Sequence, residues 1–373
     1  MEEINNKDEN IKMENKKNFK FELVSKIEIK SGYDFKYIEK IIELPQDKIG
    51  ILCKIRYEEC SFLVYSSKTF KMIKQFDNIF LDAIKMEDNN LVFCNENSIY
   101  IYELIDNEYK LIQTIECYKK KEVDDNYSDY YGHYRNPNTR IYFIYPLKNG
   151  NLIACSYSKI KIYKKEKGKN EKYSFKTIDY EYKILEILDI KCNIIIIYMM
   201  KRLGSGCICE GYNHYIYLYN LQNDNKNIIA EDFSESGDIY NRYPIKHLLQ
   251  LDKYLIAKCG YYFDIYEIEQ NMKLINENDC IIEKKNHCVL KPVKKLKYEI
   301  PFIFLHLELK NDFILVSNRQ GNSFIYKYEN KSLKECEEFP FNLDNSYIMK
   351  LKNDQLIIYY GNEIKLVNFF YKK

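Results

Sequence analysis

Residues 79–117 read IFLDAIKMEDNNLVFCNENSIYIYELIDNEYKLIQTIEC and contain four short apolar runs separated by polar breaks. The runs are Phe80–Met86, Leu91–Cys94, Ser98–Leu104 and Tyr109–Ile115. They are rich in β-branched and aromatic residues and alternate with a period of two, which favours strands over helices. The breaks contain Asn and Asp, which tolerate the left-handed backbone of tight hairpin turns. This stretch therefore predicts one antiparallel sheet of four strands.

The same unit recurs along the chain. Its first polar turn is found seven times, at Asp47-Lys48, Asp88-Asn89, Asn149-Gly150, Asp189 to Asn193, Asp252-Lys253, Asn311-Asp312 and Asn353-Asp354. A later strand of each unit ends in an anchor residue, which is Tyr65, Tyr102, Tyr163, Tyr219, Tyr266, Tyr326 or Val367. Turn and anchor are 14 residues apart in four units and 15 in a fifth. So regular a spacing indicates a repeat architecture.

The two ends of the chain predict how the repeats are joined. The seventh unit stops after three strands, whereas Phe19 to Ile29 supplies one unpaired strand at the start. Pairing the two completes a fourth strand and removes an exposed sheet edge. We therefore expect an all-β fold, a seven-bladed β-propeller of four-stranded antiparallel blades over residues 19–373, with six or eight blades as alternatives. Residues 1–18 are polar, and we expect them to form a disordered tail.

Composition narrows the class of protein. The chain has 373 residues, 46% of them hydrophobic, with a formal net charge of +2 that gives no general attraction for nucleic acid. The 12 cysteines follow no disulfide or zinc spacing, which indicates free thiols. No secretory signal is visible, and the longest apolar run, Ile194–Met200, is far shorter than the roughly 20 residues of a membrane helix. We expect a cytoplasmic protein that needs no cofactor.

The anchor strands carry a family resemblance. Ile101-Tyr102-Glu103-Leu104, Leu218-Tyr219-Asn220-Leu221 and Ile265-Tyr266-Glu267-Ile268 resemble the third-strand ending of WD-repeat proteins, with Tyr in place of Trp. The resemblance covers residues 19–373 and implies a propeller that acts as a scaffold. The chain has no Trp, and no unit opens with the usual Gly-His pair. The hydrogen-bonded network that stiffens regular WD blades is therefore expected to be missing, and the resemblance assigns no binding residue.

Function in such a fold falls to the loops on the rim and top face, and three insertions interrupt the repeats. The first spans residues 118–139 and is rich in tyrosine, which gives large contact area at low entropic cost. It predicts a partner-binding loop; the alternative is a plain connector. The candidate partner-binding residues are Tyr127, Tyr130, Tyr131, His133, Tyr134 and Arg135.

The other two insertions, at residues 201–214 and 278–299, suggest different chemistry. The former holds Cys207, Cys209 and His214, three possible zinc ligands without a fourth, so we expect no metal site and read it as a hairpin extension. The latter carries a basic strip that either meets anionic lipid or is a solvated edge strand. The strip consists of Lys284, Lys285, Lys291, Lys294, Lys295 and Lys297. The nearby Asn318-Arg319-Gln320-Gly321 has one Arg where phosphoinositide-binding propellers have two.

Catalytic patterns are absent from the sequence. The five histidines are scattered among different units, and no nucleophile elbow, phosphate-binding loop or metalloprotease helix is present. We expect no catalytic residue and a non-catalytic scaffold that binds other proteins through rim and top-face loops. The alternatives are a peripheral membrane adaptor that uses Lys284 to Lys297 and, third, an enzyme with a site in the central channel.

Overall fold

The computed structural model describes most of the chain from residue 19 onward. The described ranges are 19–28, 37–56, 59–69, 71–118, 140–165, 173–190, 194–203, 211–221, 226–235, 248–251, 254–259, 262–272, 286–297, 303–310, 312–318, 321–330, 332–343, 346–351, 353–360 and 363–371. All regular elements in these ranges are strands, 28 in number. No helix among them is long and apolar enough to cross a membrane.

The strands form seven four-stranded sheets, each a blade. Blade 1 contains β2 (Tyr37–Leu44), β3 (Lys48–Arg56), β4 (Glu59–Ser66) and β5 (Met72–Phe80). Blade 2 contains β6 (Asp82–Lys85), β7 (Leu91–Cys94), β8 (Ser98–Ile105) and β9 (Glu108–Glu116). Blade 3 contains β10 (Phe143–Pro146), β11 (Leu152–Cys155), β12 (Lys159–Lys165) and β13 (Tyr173–Asp179). Blade 4 contains β14 (Lys183–Asp189), β15 (Ile194–Leu203), β16 (Gly211–Asn220) and β17 (Lys226–Glu235).

The remaining blades follow the same order along the chain. Blade 5 contains β18 (Leu248–Leu251), β19 (Tyr254–Cys259), β20 (Tyr262–Met272) and β21 (Asn286–Lys297). Blade 6 contains β22 (Ile303–Lys310), β23 (Phe313–Asn318), β24 (Ser323–Glu329) and β25 (Ser332–Glu338). Blade 7 contains β26 (Tyr347–Lys350), β27 (Gln355–Tyr360), β28 (Glu363–Tyr371) and, as its fourth strand, β1 (Phe19–Glu28). Every pairing within a blade whose register is resolved is antiparallel.

The N-terminal strand closes the ring, as the sequence predicts. β1 pairs with β28 from Phe19 opposite Tyr371 to Glu28 opposite Glu363. Phe19 is buried, with its ring 5.0 Å from that of Phe313 in blade 6 and 5.3 Å from that of Tyr371. Its backbone N–H donates to Glu337 Oε1 at 3.0 Å. Blade 7 is therefore built from both ends of the chain and is fixed to blade 6 through the first of them.

The first turn of the repeat has the backbone that its residues predict. Positive φ angles occur at Asp47, Asn89, Asp312 and Asp354, and at Gly150 in the third unit. These are the turns between the first and second strands of blades 1, 2, 6, 7 and 3. The two remaining turns, at 191–193 and 252–253, lie outside the described ranges. Asn, Asp and Gly are placed there because they adopt the left-handed conformation at low cost.

The anchor residues of the third strands occupy equivalent positions in all seven blades, which explains their regular spacing in the sequence. Seven apolar clusters fill the ring, one between each pair of neighbouring blades. Each anchor lies in, or packs against, the cluster shared with the preceding blade: Tyr102 with blade 1, Tyr163 with blade 2, Tyr219 with blade 3 and Val367 with blade 6. Tyr266, Tyr326 and Tyr65 occupy the same place in blades 5, 6 and 1.

Carboxylates in first strands provide polar ties between blades. Asp82 of blade 2 accepts the Ile144 N–H of blade 3 at 3.0 Å, and Glu186 of blade 4 accepts the Leu248 N–H of blade 5 at 3.1 Å. Asp189 of blade 4 accepts the Lys148 N–H of blade 3 at 2.7 Å. All three acceptor carboxylates lie in the first strand of a blade or directly at its start or end. They link blades in a chain that lacks the usual WD-repeat side chains.

Two expected boundaries change. Phe80 ends β5 of blade 1 and does not begin the next blade. Residues 286–297, placed in the insertion 278–299, form β21, the outer strand of blade 5. Pro292 in this strand lies at a register shift opposite Tyr266, where an outer strand tolerates proline. Residues 201–203 and 211–214 extend the β15–β16 hairpin, as expected for the second insertion.

Gly50 of β3 offers a test of core packing in blade 1. A Cβ at this position would lie 2.1 Å from the ring of Phe62, which is itself fully buried against Phe76 and Phe93. The ring cannot move aside, so we expect Gly50→Ala to destabilise the protein by about 1–3 kcal/mol. Chemical denaturation monitored by tyrosine fluorescence measures this loss, with Lys110→Ala on the exposed face of β9 as the control. Equal midpoints for the two variants would contradict the packing described.

Candidate functional site

The antiparallel order of the strands defines two faces of the propeller. Connections from second to third strand, and from the fourth strand to the next blade, leave the sheet at the same end. We call this end the top face. The turn at residues 95–97 connects β7 to β8 on the top face, and the chain between β9 and β10, which holds the tyrosine-rich insertion, leaves and re-enters the sheets at the same face. The chain between β20 and β21 leaves and re-enters blade 5 at the opposite face.

Both ends of the tyrosine-rich insertion are attached to the same turn of blade 2. On the way out, the N–H groups of Cys117 and Tyr118 donate to Asn97 O at 2.8 and 3.2 Å. On the return, Ile141 N–H donates to Glu96 O at 2.8 Å. The turn itself is stiffened by Asn95 Oδ1, which accepts the N–H groups of residues 97 and 98. The insertion therefore leaves and re-enters at one fixed point on the top face.

Side chains of blade 3 hold the outgoing end. Lys161 donates a hydrogen bond to Cys117 O, and its ammonium lies 3.9 Å from the centre of the Tyr118 ring. Tyr163 donates to Cys117 Sγ at 2.9 Å. Burial raises the pKa of the Cys117 thiol to about 11, against the opposing effects of Tyr163 and Lys161, so the thiol stays protonated at neutral pH. A buried neutral thiol of this kind is a packing residue and not a nucleophile.

The returning end places a largely buried arginine beside exposed aromatic rings. Arg140 contacts Glu96, with Nη1 to Oε1 at 3.6 Å, and its guanidinium lies 5.2 Å from the centre of the Tyr142 ring. Tyr142 is 38% exposed, and so is Tyr157 in the turn between β11 and β12 of the same face. Amphipathic rings fixed beside an arginine are typical of the residues that contribute most binding energy in protein interfaces.

The innermost strands of blades 1 and 2 carry a partly buried ion pair. Lys40 Nζ on β2 lies 2.8 Å from Asp82 Oδ1 on β6, and Asp82 also accepts the N–H groups of Ala83 and Ile144. Burial lowers the pKa of Lys40, but the carboxylate of Asp82 outweighs it, so the net shift is upward. All partners of Asp82 are within the wall of the channel. This arrangement joins blades 1, 2 and 3.

The structure leaves the predicted partner-binding residues untested. Tyr127, Tyr130, Tyr131, His133, Tyr134 and Arg135 lie outside the described residues, as do Lys284 and Lys285. The backbone of Lys291, Lys294, Lys295 and Lys297 lies in β21, where the register places Lys291 opposite Glu267 and Lys295 opposite Asp264. The basic strip is thus divided between the outer strand of blade 5 and the segment that precedes it.

The predicted ligands of the second insertion are only partly described. His214 is buried in β16, and its Nδ1 lies 2.6 Å from the Tyr198 hydroxyl. Cys207 and Cys209 lie outside the described residues. Among the residues that are described, no three His, Cys, Asp or Glu side chains come together as metal ligands. The six cysteines whose side chains are described are free thiols, five of them buried.

Sequence reasoning missed the groups that hold the insertion in place. Glu96, Arg140 and Lys161 border the loop and were not singled out. A usable signal existed for Arg140, because it is a charged residue between the loop and the apolar residues of β10. Lys161 gave no such signal, since its position on an alternating strand is typical of a solvated side chain.

Comparison with known proteins supports the fold alone. No protein-family model matches the sequence, and no curated protein does. Among solved structures, the β-propeller domain of Cps50 (Swd1) from Myceliophteria thermophila is similar, with a TM-score of 0.54, 9% identity, and 93% of this chain and 99% of that chain covered. A second similar structure is that of BBS1N in complex with ARL6DN, with a TM-score of 0.49 and 10% identity. The match covers 93% of this chain and 96% of that chain. The chain is a seven-bladed β-propeller.

Proposed function

We propose that the protein is a non-catalytic scaffold that binds other proteins through the top face of blades 2 and 3. The observation that carries the proposal is the attachment of both ends of the tyrosine-rich insertion to residues 96 and 97. A loop held at one point on a rigid sheet presents its side chains at low entropic cost. The exposed rings of Tyr142 and Tyr157 and the Arg140 guanidinium extend the same surface.

The resemblance to WD-repeat proteins supports the same class of function. Propellers of that family are scaffolds whose loops contact partners, and this chain shares their architecture. A rigid ring of seven blades carries little motion of its own, so specificity must come from its loops. On this proposal Tyr127, Tyr130, Tyr131, His133, Tyr134 and Arg135 provide the contact area, and no cofactor takes part.

The test compares three forms of the full chain in affinity capture from native lysate with quantitative mass spectrometry. One form is unchanged, and a second replaces Tyr127, Tyr130, Tyr131 and Tyr134 by Ser, which keeps the length of the loop. The control replaces residues 204–210 of the other top-face insertion by a Gly-Ser linker of equal length. We expect at least one protein bound by the unchanged and control forms to be lost from the serine form.

Purified components then measure the loss directly. We expect the Kd for the captured protein to rise at least tenfold with the four serine substitutions, because aromatic anchors dominate such interfaces. A captured set that is identical for all three forms would contradict the proposal. Binding that is lost equally from the serine form and the control would place the contact elsewhere on the top face.

A further inference from the structure

The outer strands of the seven blades differ in how their free edges are protected. A register shift interrupts the pairing of the outer strand with its neighbour in six blades, at β1, β5, β9, β17, β21 and β25. Such bulges twist an edge away from further pairing, which prevents another chain from adding a strand. Blade 3 is the exception. β13 pairs with β12 over seven consecutive residues, from Tyr173 to Asp179, without a shift.

The regular edge of β13 is open in the described part of the chain. Blade 3 has the order β10-β11-β12-β13, and no described strand pairs with the outer side of β13. A strand in this position presents a row of N–H and C=O groups that a further extended segment can pair with. Seven residues is long enough to form a ladder of ordinary length.

The strand at this edge, β13, carries an exposed aromatic side chain, Phe175. Phe175 is 60% exposed, more than any other large hydrophobic residue whose burial is described. Its ring contacts that of Tyr163 on β12, with centroids 5.7 Å apart, and lies 5.3 Å from the Lys161 ammonium. The register places Phe175 opposite Tyr163, so the ring lies on the same face of the sheet as Tyr163, next to the free edge. An added strand would cover it, which supplies an apolar contribution besides the backbone ladder.

The net charge of the two outer strands also distinguishes blade 3 from the other six blades. The two outer strands of blade 3 contain five lysines, Lys159, Lys161, Lys164, Lys165 and Lys176, against one acid, Asp179. The outer strand pairs of the remaining blades are nearly balanced or net acidic. Four of these lysines lie on β12, one strand inward from the edge, and Lys159 forms an ion pair with Asp179 at 3.3 Å. A segment that pairs with β13 and carries long acidic side chains gains from the net positive charge of the two strands.

We propose that the outer edge of β13 is a docking site for an extended, acidic segment of a partner protein, which adds to blade 3 as a fifth strand. Backbone hydrogen bonds provide the ladder, an apolar residue of the segment covers Phe175, and its acidic residues face the lysines of β12 and β13. The ladder of this site is formed by β13 and not by the tyrosine-rich insertion, although Lys161 contacts both Phe175 and Tyr118 at the end of that insertion.

The test uses a phage-displayed library of random 12-residue peptides, selected on the full chain and counter-selected on Phe175→Glu. We expect enriched peptides to alternate apolar with polar residues and to be rich in Asp and Glu. A synthetic peptide of this kind should bind Phe175→Glu at least tenfold more weakly than the unchanged chain. Leu111→Glu, at a half-exposed position on the bulged strand β9, is the matched control and should bind normally.

A second measurement shows whether the peptide binds as a strand. Because alternate N–H groups of a strand face its neighbour, N-methylation at successive peptide positions should abolish binding at every second position only. Three results would overturn the proposal. They are a peptide set that does not depend on Phe175, a methylation scan without alternation, and a dimer of the unchanged chain in analytical ultracentrifugation that Phe175→Glu dissociates.

Discussion

A chain that begins at residue 30, without β1, is expected not to form the native ring. The deletion removes the fourth strand of blade 7 and its ladder with β28, and it exposes the rings of Phe313, Phe369 and Tyr371 that pack on Phe19. Truncating one buried phenylalanine costs about 3–5 kcal/mol, comparable with the total stability of an ordinary domain. Losing the whole strand should therefore leave an aggregating or molten chain, detected by size-exclusion chromatography and near-UV circular dichroism.

The matched control for this deletion is a chain that begins at residue 19. It keeps β1 and should retain the native spectrum and midpoint. A synthetic peptide of residues 19–29, added in excess to the shorter chain, should restore near-UV signal by re-forming the strand in trans. A shorter chain that is as stable as the control would show that β1 does not close the ring. Phe19→Ala alone gives a graded version of the same experiment, with an expected loss of about 3–5 kcal/mol.

Replacing Asp82 by Ala is expected to cost about 3 kcal/mol, the largest effect of a single charged residue. Its carboxylate accepts hydrogen bonds from Lys40 Nζ, the Ala83 N–H and the Ile144 N–H. Alanine at position 82 removes this acceptor from all three donors. Removing one side of a buried pair is costly because the other charge stays desolvated. The Lys40 side chain is 33% exposed, which keeps the expected loss at the lower end of the usual range.

Lys40→Met is the companion variant, and chemical denaturation of the two single variants and the double variant measures the coupling. We expect Lys40→Met to cost less than Asp82→Ala, because Asp82 keeps its two N–H donors. The pKa of Lys40 is raised in the folded state, so its contribution is present below pH 10.5 and disappears as the pH rises through the folded value. Additive losses at neutral pH would contradict the coupling between blades 1 and 2.

The repeat and its closure were predictable from sequence because two independent signals recur in phase. Asn and Asp in the first turns predicted a left-handed backbone, and the positive φ angles of Asp47, Asn89 and Asp354 confirm that prediction. The anchors recur at a regular distance from the turns, and the structure shows the reason, since Tyr102 and Tyr163 are buried against the preceding blade. Each signal is local, since a turn or an anchor needs only its own neighbours to be recognised.

Two kinds of feature were not predictable from the sequence, namely contacts between distant residues and the edges of the sheets. The bond between Asp82 and Ile144 joins residues 62 positions apart, and nothing near Asp82 identifies its partner. Bulges in outer strands leave no pattern in the sequence, so the bounds of β21 were not predicted within the insertion 278–299, although an edge strand was one of its two interpretations. The regular edge of β13 becomes visible only when all seven outer strands are compared.

The most direct test of the seven-bladed ring is a disulfide cross-link between its two ends. Lys20 lies opposite Phe370, and both are exposed. In the double variant Lys20→Cys with Phe370→Cys, mild oxidation followed by tryptic mass spectrometry should give the cross-linked pair in high yield with the native spectrum retained. The control pairs Lys20→Cys with Lys365→Cys, a position opposite Lys26, and should give little product. Equal yields for the two pairs, or no cross-link between residues 20 and 370, would contradict the closure of the ring by β1.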